Sequence, residues 1–331
     1  MEHVKFGRTG LRVSRLCLGT MTFGLQCDEA QGRAILDAAA EGGIDFLDTA
    51  NRYPLGSDLT TAGRTEEIIG AWLKGKRHNF ILATKCVGPM GPNPWDQGMS
   101  RKHIVEAIDA SLRRLSTDYV DLYQLHGYDP LTPIDEALEA LDAVVKSGKA
   151  RYVGVSNWPA YKLARALGRG EVNRLARIDC VQPRYNLLFR TFERDLLPLC
   201  AEEAVAVIPY NPLAGGLLTG KHNRDAPPAA GTRFTINRVG AMYQTRYWHE
   251  REFDTVDTLR GLANEAGMSM ASMALAWVLS NPAVTAPIIG ASRPEQLADS
   301  LAAAENGPLP VDLKTRLDEI THPWRTIDAE R

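Results

Sequence analysis

The chain has 331 residues, of which 44% are hydrophobic and 24% charged, and its formal net charge is −2. This composition is typical of a globular protein, and the near-neutral charge gives no electrostatic reason to expect nucleic acid or an anionic membrane as a partner. The five cysteines are scattered and contain no Cys-x-x-Cys pair, which argues against a disulfide framework or a metal site and fits a reducing cytoplasm.

Short apolar runs rich in Val, Ile and Leu alternate with longer amphipathic segments along the chain. The runs that predict strands lie near Arg15–Leu18 and at Ile44–Leu47, Phe80–Thr84, Val120–Leu125, Tyr152–Val155, Cys180–Gln182, Val205–Pro209 and Pro287–Ile289. The segments that predict helices are Ala30–Glu41, Thr65–Leu73, His103–Leu115, Ile134–Ser147, Tyr161–Leu167, Phe192–Glu203 and Phe253–Ala266. Strands that are apolar on both faces, each followed by a helix, indicate a parallel sheet covered on both sides. About eight such units without a break in composition favour an α/β fold, a single (β/α)₈ TIM barrel domain over residues 1–331.

Local features add detail to this prediction. Thr65 is expected to cap its helix, and Gly42-Gly43 stand where a helix end needs a left-handed residue. The least regular region, residues 221 to 250, predicts a long loop over the barrel mouth. The start of the chain has no apolar signal region, and the most apolar stretch, Met270 to Leu279, is too short to span a bilayer. We therefore expect a soluble cytoplasmic protein.

Four polar residues lie where predicted strands end, on the barrel face that carries catalysis in such folds. Asp48 and Tyr53 follow one strand, Lys85 closes the next, and His126 closes the one after that. A phenol has an unperturbed pKa of about 10, so it is a weak acid at neutral pH unless a nearby cation stabilises its phenolate. Lys85 supplies that cation, and Asp48 beside it would keep it charged where water is excluded. Alone, His126 also fits a core histidine and Lys85 a structural ion pair, but the set, here called the tetrad, indicates a catalytic proton donor.

Further motifs accompany the tetrad: Gly19-Thr20-Met21, Gly154-Val155-Ser156-Asn157 and Gln182-Pro183-Arg184-Tyr185-Asn186. Together they resemble the aldo-keto reductase superfamily, and the resemblance runs from Gly7 to about Ala304. It implies an NADPH-dependent oxidoreductase that reduces an aldehyde or ketone to an alcohol by hydride transfer, with the reverse oxidation mechanistically allowed.

The resemblance also implies a role for each member of the tetrad. Tyr53 would protonate the carbonyl oxygen as the hydride reaches the carbon. Lys85 would lower the pKa of Tyr53, and Asp48 would pair with Lys85. His126 would orient or polarise the carbonyl. These roles agree with the physical requirement for a positioned acid together with a site that stabilises the developing alkoxide.

A set of cofactor contacts follows from the same resemblance. Ser156, Asn157 and Gln182 would hold the nicotinamide carboxamide, although Ser and Asn are also common in ordinary turns. Tyr210 would stack on the nicotinamide ring. Further contacts are implied in the first loop and along the pyrophosphate: Gly19, Thr20, Met21, Asp48, Pro212, Leu213, Gly216, Leu217, Lys221 and Arg233.

Two other nucleotide-binding patterns are not predicted. Residues 215 to 221 nearly fit a P-loop, but His222 stands where that pattern needs the hydroxyl of Ser or Thr. No G-x-G-x-x-G follows a predicted strand, so a Rossmann site is not supported either. The sequence therefore disfavours an NTPase.

The adenosine end of the cofactor is expected at a turn after the last predicted strand. Ser292 and Arg293 lie there, where free backbone N–H groups and a guanidinium favour an anion. In the family this segment binds the adenosine 2′-phosphate, which points to NADPH, and Gly290 and Gln296 would also take part. A plain helix start with an exposed arginine is the alternative. Ser300 stands where many relatives have Asn, so a weaker adenine contact is expected.

The substrate, beyond a small-molecule carbonyl compound, and the oligomeric state are open. One alternative function is a redox-sensing regulatory subunit resembling potassium-channel beta subunits, which share the barrel, the tetrad and the cofactor site. Another is a reductase of a nucleotide-linked keto-sugar, with basic residues between Arg224 and Arg251 serving a diphosphate. The loop between Tyr53 and Gly63 is expected to shape one wall of the substrate pocket.

Overall fold

The computed structural model describes residues 1–326, apart from the side chains of residues 237 and 238. Its strands are β1 (His3–Lys5), β2 (Arg12–Ser14), β3 (Cys17–Gly19), β4 (Phe46–Asp48), β5 (Ile81–Cys86), β6 (Val120–Leu125), β7 (Ala150–Ser156), β8 (Ile178–Gln182), β9 (Ala206–Val207) and β10 (Ile288–Ile289). Its α-helices are α1 (Glu29–Glu41), α2 (Arg64–Leu73), α3 (Arg101–Leu115), α4 (Ile134–Lys146), α5 (Ala160–Val172), α6 (Leu196–Glu202), α7 (Asn237–Tyr247), α8 (Glu250–Glu265), α9 (Met270–Leu279), α10 (Ala298–Glu305) and α11 (Val311–Ile320). Short 3₁₀ segments lie at Arg77–Asn79, Thr191–Arg194, Ala214–Thr219, Pro294–Leu297 and His322–Arg325.

One parallel sheet of eight strands forms the centre of the protein, in the order β10-β3-β4-β5-β6-β7-β8-β9. Its two ends meet, because the backbone N–H groups of Thr285 and Ile288 donate to the carbonyl oxygens of Val207 and Pro209, both at 2.8 Å. Helices connect successive strands on the outside, as parallel pairing requires. The (β/α)₈ barrel predicted from the sequence is confirmed.

Successive side chains along each strand point alternately into and out of the barrel, so they contribute to two separate cores. Inward residues such as Phe46, Ala83, Leu122 and Cys180 pack with Phe6 inside the barrel. Their outward neighbours join the larger core beneath the helices. Because alternation has a period of two, the same strands carry a polar layer two residues further on: Asp48, Lys85, Gln124 and Gln182.

The end of the barrel opposite this polar layer is covered by a hairpin of β1 and β2, which the sequence did not predict. Phe6 and Val13 of the hairpin are completely buried in the inner core. Gly7 has a φ of +54°, and a Cβ there would lie 2.6 Å from the carbonyl oxygen of Ala204. The close approach of the hairpin to the barrel therefore requires glycine at this position.

The predicted strands are confirmed with small shifts at their ends, and most predicted helices likewise. The helix predicted at Phe192–Glu203 is instead a 3₁₀ turn followed by α6, because Asp195 between them has non-helical backbone angles, φ −143° and ψ −51°. The sequence did not predict α10 and α11, and it identified α9 only as an apolar stretch. Within residues 1–326, no helix is long and apolar enough to cross a bilayer.

Two local predictions are wrong. Thr65 does not cap α2: Gly63 occupies the cap position, and the Thr65 hydroxyl donates to the carbonyl oxygen of Phe23 at 2.7 Å. The region from 221 to 250 is not a loop throughout, since it contains α7. Tyr243 and Tyr247 of α7 lie four residues apart on one face and are buried in the larger core, which stabilises the helix.

Candidate active site

The ion pair of Asp48 and Lys85 lies at the centre of the candidate site. Lys85 is completely buried and Asp48 nearly so. The Lys85 Nζ atom lies 2.5 Å from Asp48 Oδ2, 2.8 Å from the carbonyl oxygen of Thr49 and 3.4 Å from the hydroxyl of Tyr53. Three oxygens therefore surround a charge that would otherwise be costly to bury.

Tyr53 lies in the loop after β4, where the N–H of Gly63 donates to its carbonyl oxygen at 2.9 Å. Burial raises the pKa of its phenol above the ordinary value of 10.0, and Lys85 opposes that shift. Burial would lower the pKa of Lys85, but Asp48 and then Tyr53 outweigh it and the pKa is raised. At neutral pH the site thus holds a protonated phenol beside an ammonium. Lys85 lowers the pKa of Tyr53 as expected, but burial of the phenol raises that pKa by more.

His126 follows β6, and its ring meets the edge of the Tyr53 ring with centroids 5.7 Å apart and planes at 77°. Burial, and then the charge of Lys85, lowers the pKa of His126 to about 3. The imidazole is therefore neutral at physiological pH. A neutral imidazole can donate one hydrogen bond to a substrate oxygen without serving as the acid.

Gln124, on β6, is a further residue of the site that was not predicted from the sequence. It is completely buried, and its Nε2 donates to Asp48 Oδ1 at 3.0 Å. Gln182 Nε2 donates to the same oxygen at 3.0 Å and to Gln124 Oε1 at 3.2 Å. A signal for Gln124 was present, since a polar side chain two residues after the inward Leu122 must face the barrel interior.

The residues predicted to hold the nicotinamide lie together beside the tetrad. The Ser156 hydroxyl donates to the carbonyl oxygen of Gln182 at 2.9 Å. Asn157 Nδ2 donates to Ser156 Oγ at 2.9 Å and to the carbonyl oxygen of His126 at 3.2 Å. The Tyr210 hydroxyl donates to Asn157 Oδ1 at 2.9 Å, and burial raises the pKa of Tyr210 to about 12.

The first loop after β3 joins this group through the backbone of Asp48. Both the N–H and the hydroxyl of Thr20 donate to the Asp48 carbonyl oxygen, at 3.1 and 2.9 Å. Gly19 is tightly packed, since a Cβ there would lie 2.6 Å from a side-chain carbon of β10. Arg233, from the segment before α7, lies with Nη1 3.4 Å from the sulfur of Met21.

Two nitrogen-bearing side chains lie beside Gly216, and these three residues (Gly216, Lys221 and His222) are here called the cradle. It has a φ of +103°, and the position its Cβ would take lies 3.9 Å from Lys221 Nζ and 3.7 Å from His222 Nε2. His222 Nε2 is buried and has no hydrogen-bond partner within the described part of the chain. Burial, and then Lys221, lowers the pKa of His222 to about 4. The other predicted residues of this segment are buried or half-buried in its wall: Pro212, Leu213 and Leu217.

The residues predicted for the adenosine end lie on the surface after β10. Gly290 and Arg293 are exposed, and the backbone carbonyl of Ser292 accepts from the Cys27 thiol at 3.7 Å, which ties the turn to the first loop. Gln296 Oε1 accepts from the N–H of Ser292 at 2.8 Å and from its hydroxyl at 3.2 Å. The carbonyl of Gln296 is thus used within the turn, which leaves its amide N–H groups for a ligand.

Residues 15–322 match the sequence model of the aldo/keto reductase family. An uncharacterized oxidoreductase of Bacillus subtilis (strain 168), YrpG, is 43% identical over 313 residues, which cover 92% of this chain and 91% of that protein. A probable voltage-gated potassium channel subunit beta of Arabidopsis thaliana is 36% identical over 314 residues, or 93% of each chain. The L-glyceraldehyde 3-phosphate reductase of Escherichia coli (strain K12) is 36% identical over 314 residues, covering 92% of this chain and 88% of that protein.

Proposed function

Because the chain belongs to the aldo/keto reductase family, we propose that it reduces an aldehyde or ketone to an alcohol with NADPH, using Tyr53 as the acid. Family membership makes it an oxidoreductase, and NAD(P)H is the usual cofactor of the family. The observation that carries the finer proposal is the Tyr53 hydroxyl, 3.4 Å from the ammonium of Lys85, which is itself paired with the buried Asp48. This arrangement supplies a proton donor and stabilises the anion that the donor leaves behind.

The proton step is assigned to Tyr53. As the carbonyl carbon gains a hydride, its oxygen gains the phenolic proton, and the product is a neutral alcohol. The phenolate left on Tyr53 is stabilised by Lys85, and Asp48 keeps Lys85 charged. The neutral His126 donates a hydrogen bond to the substrate oxygen and so orients the carbonyl. When bound, reduced nicotinamide supplies the hydride.

The residues that would hold the cofactor are those already described around the tetrad. Ser156, Asn157 and Gln182 would bind the carboxamide, and Tyr210 would cover one face of the ring. The cradle at Gly216 would take the pyrophosphate. The orphaned nitrogen of His222 and the ammonium of Lys221 belong to that cradle, which supports its use for phosphate.

A preference for NADPH over NADH is assigned to Arg293, because only NADPH carries a 2′-phosphate. Arg293→Ala should weaken NADPH binding about tenfold to a hundredfold, as expected for charged hydrogen bonds, and leave NADH binding nearly unchanged. Both affinities can be measured by cofactor fluorescence. Arg316→Ala is the matched control, since it removes an exposed arginine of α11 that is paired with Glu265 of α8. Equal losses for both cofactors in Arg293→Ala would contradict the assignment.

The reaction itself is tested by following NADPH oxidation with aldehydes, ketones and nucleotide-linked keto-sugars. We expect turnover with one or more small aldehydes or ketones. The name of one relative, L-glyceraldehyde 3-phosphate reductase, supports an aldehyde. The keto-sugar alternative is less supported, because Arg224 is already paired with Asp254 and Asp257 and Arg251 lies over the Trp324 ring. No turnover with any carbonyl compound would contradict the proposed function.

A regulatory subunit is the second candidate, favoured by the similarity to proteins named as probable potassium channel beta subunits. Such a protein would bind the cofactor tightly and turn over slowly, and it would assemble with a partner. Multiple-turnover rates and the mass of the purified protein in solution distinguish the two. Fast multiple turnover by a protein that binds no partner supports the reductase.

A further inference from the structure

The Asp48 carboxylate has two oxygens with different partners. Oδ2 accepts from the Lys85 ammonium at 2.5 Å, whereas Oδ1 accepts from the amide nitrogens of Gln124 and Gln182, both at 3.0 Å. All four side chains lie in the polar layer inside the barrel and are at most 3% exposed. The two amides therefore hold the oxygen that Lys85 does not.

The charge of Asp48 determines the orientation of the two amide groups. An ionised carboxylate is only an acceptor, so both amides must direct N–H groups, not carbonyl oxygens, at Asp48. The second N–H of Gln182 donates to Gln124 Oε1 at 3.2 Å. Both N–H groups of Gln182 are then used inside the protein. Only its carbonyl oxygen is left for a ligand.

Gln124 lies on β6, between the neighbouring strands β5 and β7. It pairs with Lys85 on one side and with Gly154 on the other in the strand register. A Cβ on Gly154 would lie 3.3 Å from Cγ of Gln124, so the absence of a side chain at Gly154 lets Gln124 pack closely against the backbone of the neighbouring strand. The Gln124 side chain is completely buried, and its amide group is hydrogen-bonded to Asp48 and Gln182.

We propose that Gln124 is a positioning residue of the reductase with two roles. By donating a hydrogen bond to Asp48, it holds Asp48 in place beside Lys85 and Tyr53. By accepting a hydrogen bond from Gln182, it leaves Gln182 able to contact the cofactor only as a hydrogen-bond acceptor. This inference rests on the proposed function. A cofactor carboxamide has the N–H that such an acceptor needs, and an acetyl group in its place has none.

The two roles can be separated by two substitutions. Gln124→Met keeps the length and bulk of the side chain and removes both hydrogen bonds. In Gln124→Glu the new carboxyl group accepts from Gln182 at any pH, but it donates to Asp48 only when protonated. The Asp48 charge beside it raises the pKa of that new carboxyl group, so it is protonated at low pH and loses its proton as the pH rises.

The surrounding groups do not obscure this titration. Lys85 contacts the Asp48 oxygen that does not face Gln124, and Tyr53 and His126 lie on the far side of Lys85. The pKa of His126 is about 3, and the Cys180 thiol beneath has a pKa raised well above its ordinary value, mainly by burial. Across neutral pH, the new carboxyl group is the one whose charge is expected to change.

The first measurement uses calorimetry, without substrate, to determine the affinities of NADP⁺ and of its 3-acetylpyridine analogue. The wild-type protein and Gln124→Glu should prefer the carboxamide cofactor by about tenfold or more, since the acetyl group leaves Gln182 unpaired. Gln124→Met should lose much of that preference, because Gln182 is then held by one hydrogen bond and can turn. Equal affinities for the two cofactors in the wild type would overturn the acceptor role.

The second measurement is single-turnover hydride transfer from NADPH across pH. Gln124→Met should be slower than the wild type by about tenfold to a hundredfold at every pH. Gln124→Glu should approach the wild-type rate at low pH and fall as the pH rises. Rates and pH profiles like those of the wild type in both variants would overturn the positioning role.

Tyr123→Phe is the matched control for both measurements. Tyr123 precedes Gln124 on β6 and is completely buried, but its hydroxyl donates outward to the carbonyl oxygen of Ile104 at 2.9 Å. The control should lose some stability and keep the wild-type cofactor preference and pH profile. The same losses in Tyr123→Phe would reduce Gln124 to a structural role. Absence of carbonyl reduction by the wild type would instead contradict the proposed function.

Discussion

Lys85 is a charged side chain without solvent contact, and its surroundings explain how it remains charged. Asp48 Oδ2, the Thr49 carbonyl oxygen and the Tyr53 hydroxyl take the place of water around its ammonium group. The sequence predicted the pairing of Lys85 with Asp48 because both residues follow apolar strands. It did not predict the carbonyl oxygen of Thr49, since a backbone contact has no side-chain signal.

Replacement of Lys85 tests this arrangement at the scale of one residue. Lys85→Met should slow hydride transfer severely, because the phenolate of Tyr53 loses its stabilising cation, while NADPH binding is retained. The free energy of unfolding should fall by about 3 kcal/mol, because Asp48 is left as a buried charge without a cation. Chemical denaturation and single-turnover kinetics measure the two effects.

The double variant Asp48→Asn/Lys85→Met is the control for stability. It removes both charges, so it should recover part of the lost stability without recovering the rate. A Lys85→Met variant with an unchanged rate and pH profile would remove Lys85 from the mechanism.

His126 gives a prediction that depends on pH. Because its pKa is lowered to about 3, its imidazole should stay neutral between about pH 5 and 8. The unfolded chain binds a proton at His126 near the ordinary pKa of 6.5, so this residue makes folding less favourable as the pH falls from there toward 3. Nitrogen chemical shifts of the labelled histidine measure its charge directly. A midpoint between pH 6 and 7 would contradict the assignment of His126 as a neutral donor.

At the scale of elements, the strand that carries Lys85 is held from outside by a buried carboxylate. Glu66 of α2 has no solvent exposure, and it accepts from the Thr84 hydroxyl of β5 at 2.6 Å and from Arg114 Nε of α3 at 2.7 Å. The sequence of this part of α2 predicts only a helix start with Thr65 as its cap. In the structure, Thr65 and Glu66 of this first turn are buried and Glu66 contacts Arg114 of α3, a contact that no local pattern could reveal.

Arg114→Met tests this link between elements. The change should lower the free energy of unfolding by about 2–3 kcal/mol, because it leaves the Glu66 carboxylate without its cation, and part of Arg114 is solvent-exposed. Cofactor affinity should change little, since Glu66 faces the helices rather than the site. Arg113→Met, an exposed neighbour on α3, is the control and should be nearly neutral. Equal stability of the two variants would show that the buried pair contributes little.

At the scale of the whole molecule, the order of strands and helices was predictable because each strand is a continuous apolar run followed by an amphipathic helix. The register between strands was not predictable, although it determines which side chains meet in the site. It places Lys85 beside Gln124 and Ser156 beside Gln182. A closed barrel was predicted, but the contact that closes it was not, because β9 and β10 are short and the contact is completed by Thr285 and Ile288. The inward direction of Gln124 could have been predicted from Leu122, but its hydrogen-bond partners could not, since Asp48 and Gln182 lie on strands distant in sequence.

The proposed reaction depends on the phenol of Tyr53 as the acid in carbonyl reduction. The most direct measurement is single-turnover hydride transfer from NADPH to a carbonyl substrate by the wild type and by Tyr53→Phe, with NADPH affinity measured on the same samples. We predict that Tyr53→Phe binds NADPH as the wild type does and transfers hydride at least about a hundredfold more slowly, because only the phenolic proton is removed. Hydride transfer by Tyr53→Phe at close to the wild-type rate would show that Tyr53 is not the acid.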